Sequence, residues 1–144
     1  YRVATLTLEP KLESRYDEGW HQAEFTSDGR GEWRWTTNRA VISFRNPGTD
    51  ATLFLDLDGR ADFFEEPQQI SIVVGDRTLH KLDVDTNDRT YRELCLRAAD
   101  LGTSQNIKLA LDVDQTFVPS EHGGSPTDDR ELGVRVFHAF LEPR

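Results

Sequence analysis

The residues able to do chemistry fall in two stretches. The first is Gly19-Trp20-His21-Gln22-Ala23-Glu24-Phe25 followed by Gly31-Glu32-Trp33-Arg34-Trp35-Thr36, and it holds all 3 tryptophans of the chain. If 32–36 is a strand, Trp33 and Trp35 point to one face and Arg34 to the other, with the indoles about 6.7 Å apart along the strand. Two aromatic faces at that spacing make a stacking platform for rings with apolar CH faces, such as sugars. Carboxylates, amides and guanidinium groups meet the hydroxyls. The same alternation also allows both indoles to lie in a core beneath a second sheet, the more ordinary fate of strand tryptophans, with Arg34 facing out to pair with an acid. The second stretch runs from Phe117-Val118-Pro119 to Asp128-Asp129-Arg130-Glu131-Leu132-Gly133. Its acids and Arg130 stand just before a strand, where they line a site at one end of the domain or form a local ion pair that pins the preceding loop.

Other candidates are weaker. Acids alternate at Asp56 and Asp58, Asp83 and Asp85, and Asp112 and Asp114. Acids two apart share a strand face and present oxygens to a hard cation, so a structural calcium stays open beside the plainer reading of solvated strand ends. The segment from Asp83 begins like an EF-hand loop but has Asp88 where glycine is required and Leu94 where the bidentate glutamate belongs. His21, His80, His122 and His138 show no H-x-H or H-E-x-x-H spacing, and no G-x-S-x-G elbow or phosphate-cradling glycine loop is present. Cys95 reads as half-buried packing rather than an activated thiol. Among 26 acids, no pair is singled out for glycoside hydrolysis.

Strands must position these residues. Leu53, Leu55 and Leu57 alternate with Phe54, Asp56 and Asp58; Ile70, Ile72 and Val74 alternate with Ser71 and Val73. Gly75-Asp76 then separates that run from Leu79, Leu82 and Val84, the pattern of a tight hairpin. Further runs fall at Leu94–Leu96, Ile107–Val113 and Leu132–Leu141, with additional strands expected at Arg2–Leu8, Glu32–Thr36 and Ala40–Arg45. No stretch keeps a helical stripe for three turns, and one helical turn is expected near Ala98–Gly102, closed by its glycine. Polar turns such as Asn46-Pro47-Gly48-Thr49-Asp50 separate the runs. The pattern predicts an all-β, antiparallel β-sandwich of jelly-roll type with eight to nine strands.

The chain of 144 residues is the size of one domain, and it is read as a single β-sandwich domain over 1–144, processed or excised from a larger protein. A formal net charge of −9 argues against a groove for nucleic-acid phosphates. No apolar run reaches the length of a membrane span, so no direct membrane insertion is expected. One cysteine allows no internal disulfide.

Taken together, Gly19-Trp20…Glu24, Gly31…Trp33-Arg34-Trp35-Thr36…Ala40, and Phe117-Val118-Pro119…Asp129-Arg130-Glu131-Leu132-Gly133-Val134 form a pattern that resembles the small galactose-binding-like jelly-roll modules of carbohydrate-binding type found beside bacterial glycosyltransferases and other polysaccharide proteins. The likeness runs from about residue 19 to 142. It implies a non-catalytic accessory domain that binds surface or storage polysaccharide, with Trp20, Glu24, Trp33, Arg34, Trp35, Asp129 and Arg130 as candidate ligand-binding residues and no required cofactor. In such modules the matched positions serve equally as framework, and His21-Gln22 departs from the expected pattern. Compartment, sugar and metal do not follow from it. Two rival expectations remain. One is a structural or protein-interaction sandwich packing on a neighbouring domain through Phe54, Phe63, Phe64 or Phe137. The other is a small hydrolase or lyase, which needs Glu24, His122, Asp128 and Asp129 to converge.

Overall fold

The alternating runs pair into ten strands in the computed structural model, which describes residues 14–144. These are β1 (Ser14–Tyr16), β2 (Glu24–Phe25), β3 (Glu32–Trp35), β4 (Arg39–Arg45), β5 (Ala51–Asp58), β6 (Gln68–Val74), β7 (Arg77–Val84), β8 (Thr90–Leu96), β9 (Asn106–Val113) and β10 (Arg135–Pro143). They form two five-stranded antiparallel sheets, β1-β4-β9-β6-β7 and β2-β3-β10-β5-β8. The result is the expected jelly-roll-type sandwich, with more strands than alternation showed. β1 and β2, of 3 and 2 residues, are too short to display a period. The expected strand Arg2–Leu8 lies outside the described residues.

Burial follows the pleat. Leu53, Leu55 and Leu57 of β5 meet Leu109 and Leu111 of β9, Ile70 and Ile72 of β6, and Ile42 and Phe44 of β4 in one core between the sheets. The Gly75-Asp76 hairpin forms as expected: Val74 pairs with Arg77, and Gly75 adopts φ +64°. The expected α-helical turn, α1 (Ala98–Leu101), is followed by Gly102 at φ +76°.

Two bulges change which side chains face out. In β7 the register jumps so that Ile72 pairs with His80 but Val73 with Thr78, leaving Leu79 as the extra residue. In β10, Val136 pairs with Leu57 and His138 with Asp56, leaving Phe137 extra. The buried series therefore changes parity, from Val134 and Val136 to Ala139 and Leu141. A bulge places two residues opposite one and re-aims the side chains beside it. The last run is shorter at its start than alternation suggested. Leu132 belongs to an isolated bridge with Phe117, and β10 lies in the middle of its sheet.

A buried polar junction ties one end of the sandwich together. Thr36 is fully buried; its N–H donates to the Val134 carbonyl and its Oγ1 accepts from the Val134 N–H. Gln68, also fully buried, donates from Nε2 to the carbonyls of Gln115 (2.8 Å) and Gly133 (2.9 Å). These bonds fix the ends of β3 and β9 and the starts of β6 and β10, the framework on which the loops at that end stand.

Candidate functional site

The register decides the tryptophans. Trp35 pairs with Arg135 and Arg34 with Val136, and Val136 is fully buried. Arg34 therefore points inward while Trp33 and Trp35 share the outer face of the second sheet. They are half-buried there and do not occupy a core beneath the other sheet. The Arg34 guanidinium lies 4.7 Å from the centre of the Tyr16 ring and forms no ion pair with an acid among the described residues.

Arg135 accounts for the partial cover of the indoles. Its guanidinium lies 4.9 Å from the Trp33 ring centre, 5.6 Å from that of Trp35 and 5.2 Å from that of Phe137. The same group makes a two-pronged contact with Asp58, at 3.0 and 2.7 Å, and Asp58 is 7% exposed. The β10 bulge brings Phe137 to this face, within 6.2 Å of Trp33 between ring centres. Arg89 covers Phe137 at 3.9 Å and is held by both oxygens of Asp56, at 2.7 and 2.6 Å.

Beside Trp35 the loops enclose a hollow of about 390 Å³. Its apolar wall is Trp35, Phe63 and Phe117, with Phe117 edge-on to both other rings at 5.6 and 5.0 Å. His122 stacks on Phe63 at 4.3 Å, and Arg60 covers the same ring at 4.0 Å. Asp128 and Arg130 supply polar groups to its lining. Turns place these groups. Ala61–Phe63 and Pro119–His122 are each one turn of 3-10 helix, and the second ends at Gly123 with φ +79°. Phe63 and Phe64 are thus half-buried against Phe117 rather than exposed, and Phe54 stacks on Phe140 at 4.7 Å. Among the described residues, the exposed large apolar side chains are Phe25 and Tyr91.

Arg130 is the hub of the loop. It holds Asp128 through two bonds of 2.8 Å and Glu24 through a third of 2.9 Å, which ties the loop to β2. Glu24 stands opposite Trp33 across the β2–β3 pair. The hydrogen bonds from Arg130 hold the Asp128 carboxyl below its ordinary range, and those from Asp128, more than from Glu24, push the guanidinium pKa up. A carboxyl fixed in that way is a poor proton donor, whereas general acid work needs a raised pKa. Of the residues the hydrolase reading requires, His122 and Asp128 line the hollow and Glu24 joins through Arg130. Asp129 instead accepts from Ser120 Oγ at 2.8 Å.

The remaining sequence candidates have framework contacts. Trp20 packs against the core, lies edge-on to Tyr16 at 4.8 Å and donates its indole N–H to the Val41 carbonyl at 2.8 Å. His21 Nε2 donates to the Glu131 carbonyl at 2.7 Å. Cys95, expected to be half-buried, is exposed on β8, with Arg144 Nη1 donating to its sulfur at 3.2 Å. Five of the six alternating acids are engaged as well: Asp56 by Arg89, Asp58 by Arg135, Asp112 by Arg39, Asp114 by the Gln69 N–H and Asp83 by Gln69 Nε2. Among the described residues no three His, Cys, Asp or Glu side chains come together as a metal-binding set.

Alternation alone placed Trp33 and Trp35 on one face. Arg60, Phe63, Phe117, His122 and Arg135 join them only through tertiary structure, and the rim acid is Asp128 rather than its neighbour Asp129. Asp128 is held there by the N–H and guanidinium of Arg130, whereas Asp129 is taken by the Ser120 hydroxyl.

Fold and site define an all-β sandwich domain with an aromatic, ion-paired surface at one end. No protein-family model matches the chain, and no curated protein matches it. Among solved structures it is similar to a family GH115 4-O-methyl-α-glucuronidase with specificity for decorated arabinogalactans, at 9% identity and a TM-score of 0.54, covering 93% of this chain and 18% of that one. A Clostridium perfringens structure of CBM51-2 in complex with GlcNAc gives 15% identity and a TM-score of 0.41, covering 90% of this chain and 28% of that one. A CBM61 in complex with β-1,4-galactotriose gives 10% identity and a TM-score of 0.38, covering 92% and 88%. The likeness to the glucuronidase is one of fold, and this chain spans less than a fifth of that protein's length.

Proposed function

We propose that the chain is a non-catalytic carbohydrate-binding module, an accessory domain of a larger polysaccharide-handling protein such as a bacterial glycosyltransferase. The observation that carries this reading is the pairing of Trp33 and Trp35 on the outer sheet face beside the hollow walled by Trp35, Phe63 and Phe117. Aromatic faces receive the CH side of a sugar, while Arg60, His122 and the Arg130–Asp128 pair offer donors and acceptors to its hydroxyls. The hollow fits one or two sugar units and is open to solvent, which suits weak contacts multiplied along a polymer. Titration calorimetry against a panel of bacterial surface and storage polysaccharides tests it. Heat of binding that disappears in Trp35→Ala supports the reading, and no binding at millimolar sugar overturns it.

The second reading is a protein-interaction sandwich without a glycan ligand. Its motivation is Phe25, 58% exposed on the two-residue edge strand β2, together with Tyr91, 54% exposed on β8. Light scattering over a concentration series separates the two: self-association lost in Phe25→Ser favours this reading, and a strict monomer disfavours it.

A further inference from the structure

A second hollow, of about 400 Å³, lies beside Trp33 at the margin of the sheet, where Trp33 and Phe137 of the outer face meet Tyr16 and Glu32 from the other side. Its walls are Trp33, Phe137, Tyr16 and Glu32, with Arg30 and Arg89 at the rim. Thr26, Arg30 and Gly31 of the turn between β2 and β3 line it, and the β10 bulge brings Phe137 out beside Trp33. Each tryptophan thus lines one hollow, and Arg135, within reach of both rings, stands over the pair.

Most of the arginines at the two hollows are already held by carboxylates, and Arg30 at the second is the one without an ion pair among the described residues. Arg135 is bound by Asp58, Arg89 by Asp56, Arg60 by Asp62, and Arg130 by Asp128 and Glu24. Arg30 and Glu32 at the second hollow carry opposite charges. At every one of these arginines except Arg30, a uronate, sulfate or phosphate would have to take a guanidinium from the carboxylate that holds it, and at Arg30 it would meet the neighbouring Glu32, inside a chain of formal net charge −9. A neutral pyranose ring needs no such exchange: it stacks on an indole and hydrogen-bonds to groups whose charge is already matched.

Building on the proposed glycan-binding role, we infer that the ligand is an uncharged glycan chain bound along its length, with one subsite at Trp35 and a second, previously unassigned, at Trp33 with Phe137, Tyr16 and Glu32. Successive units of one chain occupy the two hollows, and Arg135 anchors the platform between them. The second subsite makes chain length, rather than a chain end, the determinant of affinity.

Oligosaccharide ladders of one to six units test this, prepared from β-glucan, galactan, xylan and mannan, with an oligogalacturonate ladder of equal lengths as the charged counterpart. Kd is read by calorimetry. For at least one neutral ladder we expect Kd to fall about tenfold or more between the monosaccharide and the longer oligomers, and the galacturonate ladder to bind more weakly at every length. Trp33→Ala, and independently the rim variant Glu32→Ala, should shrink the ratio of monosaccharide to hexasaccharide Kd towards one. A neutral ladder that binds with the same Kd at every length overturns the second subsite while leaving the module reading intact. Tighter binding of the galacturonates overturns the assignment of a neutral ligand. No binding by any ladder overturns both this inference and the proposed function.

Discussion

Gly133 and Thr36 touch backbone to side chain at the junction below the loop-end hollow. The Gly133 N–H donates to the Thr36 carbonyl at 2.8 Å, and a Cβ on Gly133 would overlap Thr36 Oγ1 and lie 2.8 Å from the Thr37 carbonyl oxygen. Glycine is needed here for close approach and not for an unusual φ. The contact joins the two stretches that carry the chemistry, since Trp35 immediately precedes Thr36 and the Arg130 loop ends at Gly133.

Gly133→Ala should therefore destabilise the fold. Neither the buried Thr36 side chain nor the Thr37 backbone can retreat without breaking the junction, and overpacking of this kind costs about 3 kcal/mol. Urea denaturation followed by tryptophan fluorescence checks it: the midpoint should drop, while an alanine variant as stable as the parent would mean the junction is loose.

The Arg130 cluster predicts an acid-sensitive loop. The Asp128 carboxyl lies below its ordinary value of 3.8 in the folded chain, so its stabilising contribution is fully present above about pH 4 and is lost as pH falls through the lowered value. The parent should lose stability as pH falls below about 4 more steeply than Asp128→Asn. The asparagine variant should be less stable at neutral pH and closer to the parent at pH 2. Denaturation midpoints over that range read the difference, and parallel curves would remove Asp128 from the acid response.

Trp20 and Trp35 separate framework from binding. Trp20→Phe loses the indole bond to Val41 and should cost about 1 kcal/mol of stability with glycan affinity retained. Trp35→Ala should weaken glycan binding about tenfold through loss of stacking. Paired melting and binding curves for both variants decide the assignment. Loss of binding in Trp20→Phe at unchanged stability would move the site towards Tyr16 and β1.

The Arg135–Asp58 pair should be costly to break from one side. Removing the guanidinium leaves Asp58, 7% exposed, without its partner, whereas removing both groups leaves no buried charge. With Arg135 partly exposed and screened by solvent, Arg135→Met should cost about 2 kcal/mol, and Arg135→Met with Asp58→Leu should recover part of that loss. The double-mutant cycle measures the coupling. Trp33 and Trp35 should also become more accessible to acrylamide in Arg135→Met, because that side chain covers both indoles.

Alternation alone determined the sandwich. Leu53, Leu55 and Leu57, the Ile70–Val74 run and the Gly75-Asp76 turn each carry their period or turn chemistry locally, and two opposed sheets are what half-apolar strands require. It also put Trp33 and Trp35 on one face. It could not say which face, because that depends on Trp35 pairing with Arg135 across more than half the chain. The sequence shows Leu79 out of parity with Leu82, and Val136 out of parity with Ala139, but only strand pairing turns these breaks into bulges. Cys95 faces out and Arg34 faces in for the same reason: orientation on a strand is fixed by the neighbour it pairs with. The hollow was the least legible feature. Phe63 comes from the connection between β5 and β6, and Phe117, His122 and Arg130 from the one between β9 and β10; their meeting is set by the buried junction of Thr36, Gln68 and Gly133, a property of the packed sandwich rather than of any one segment.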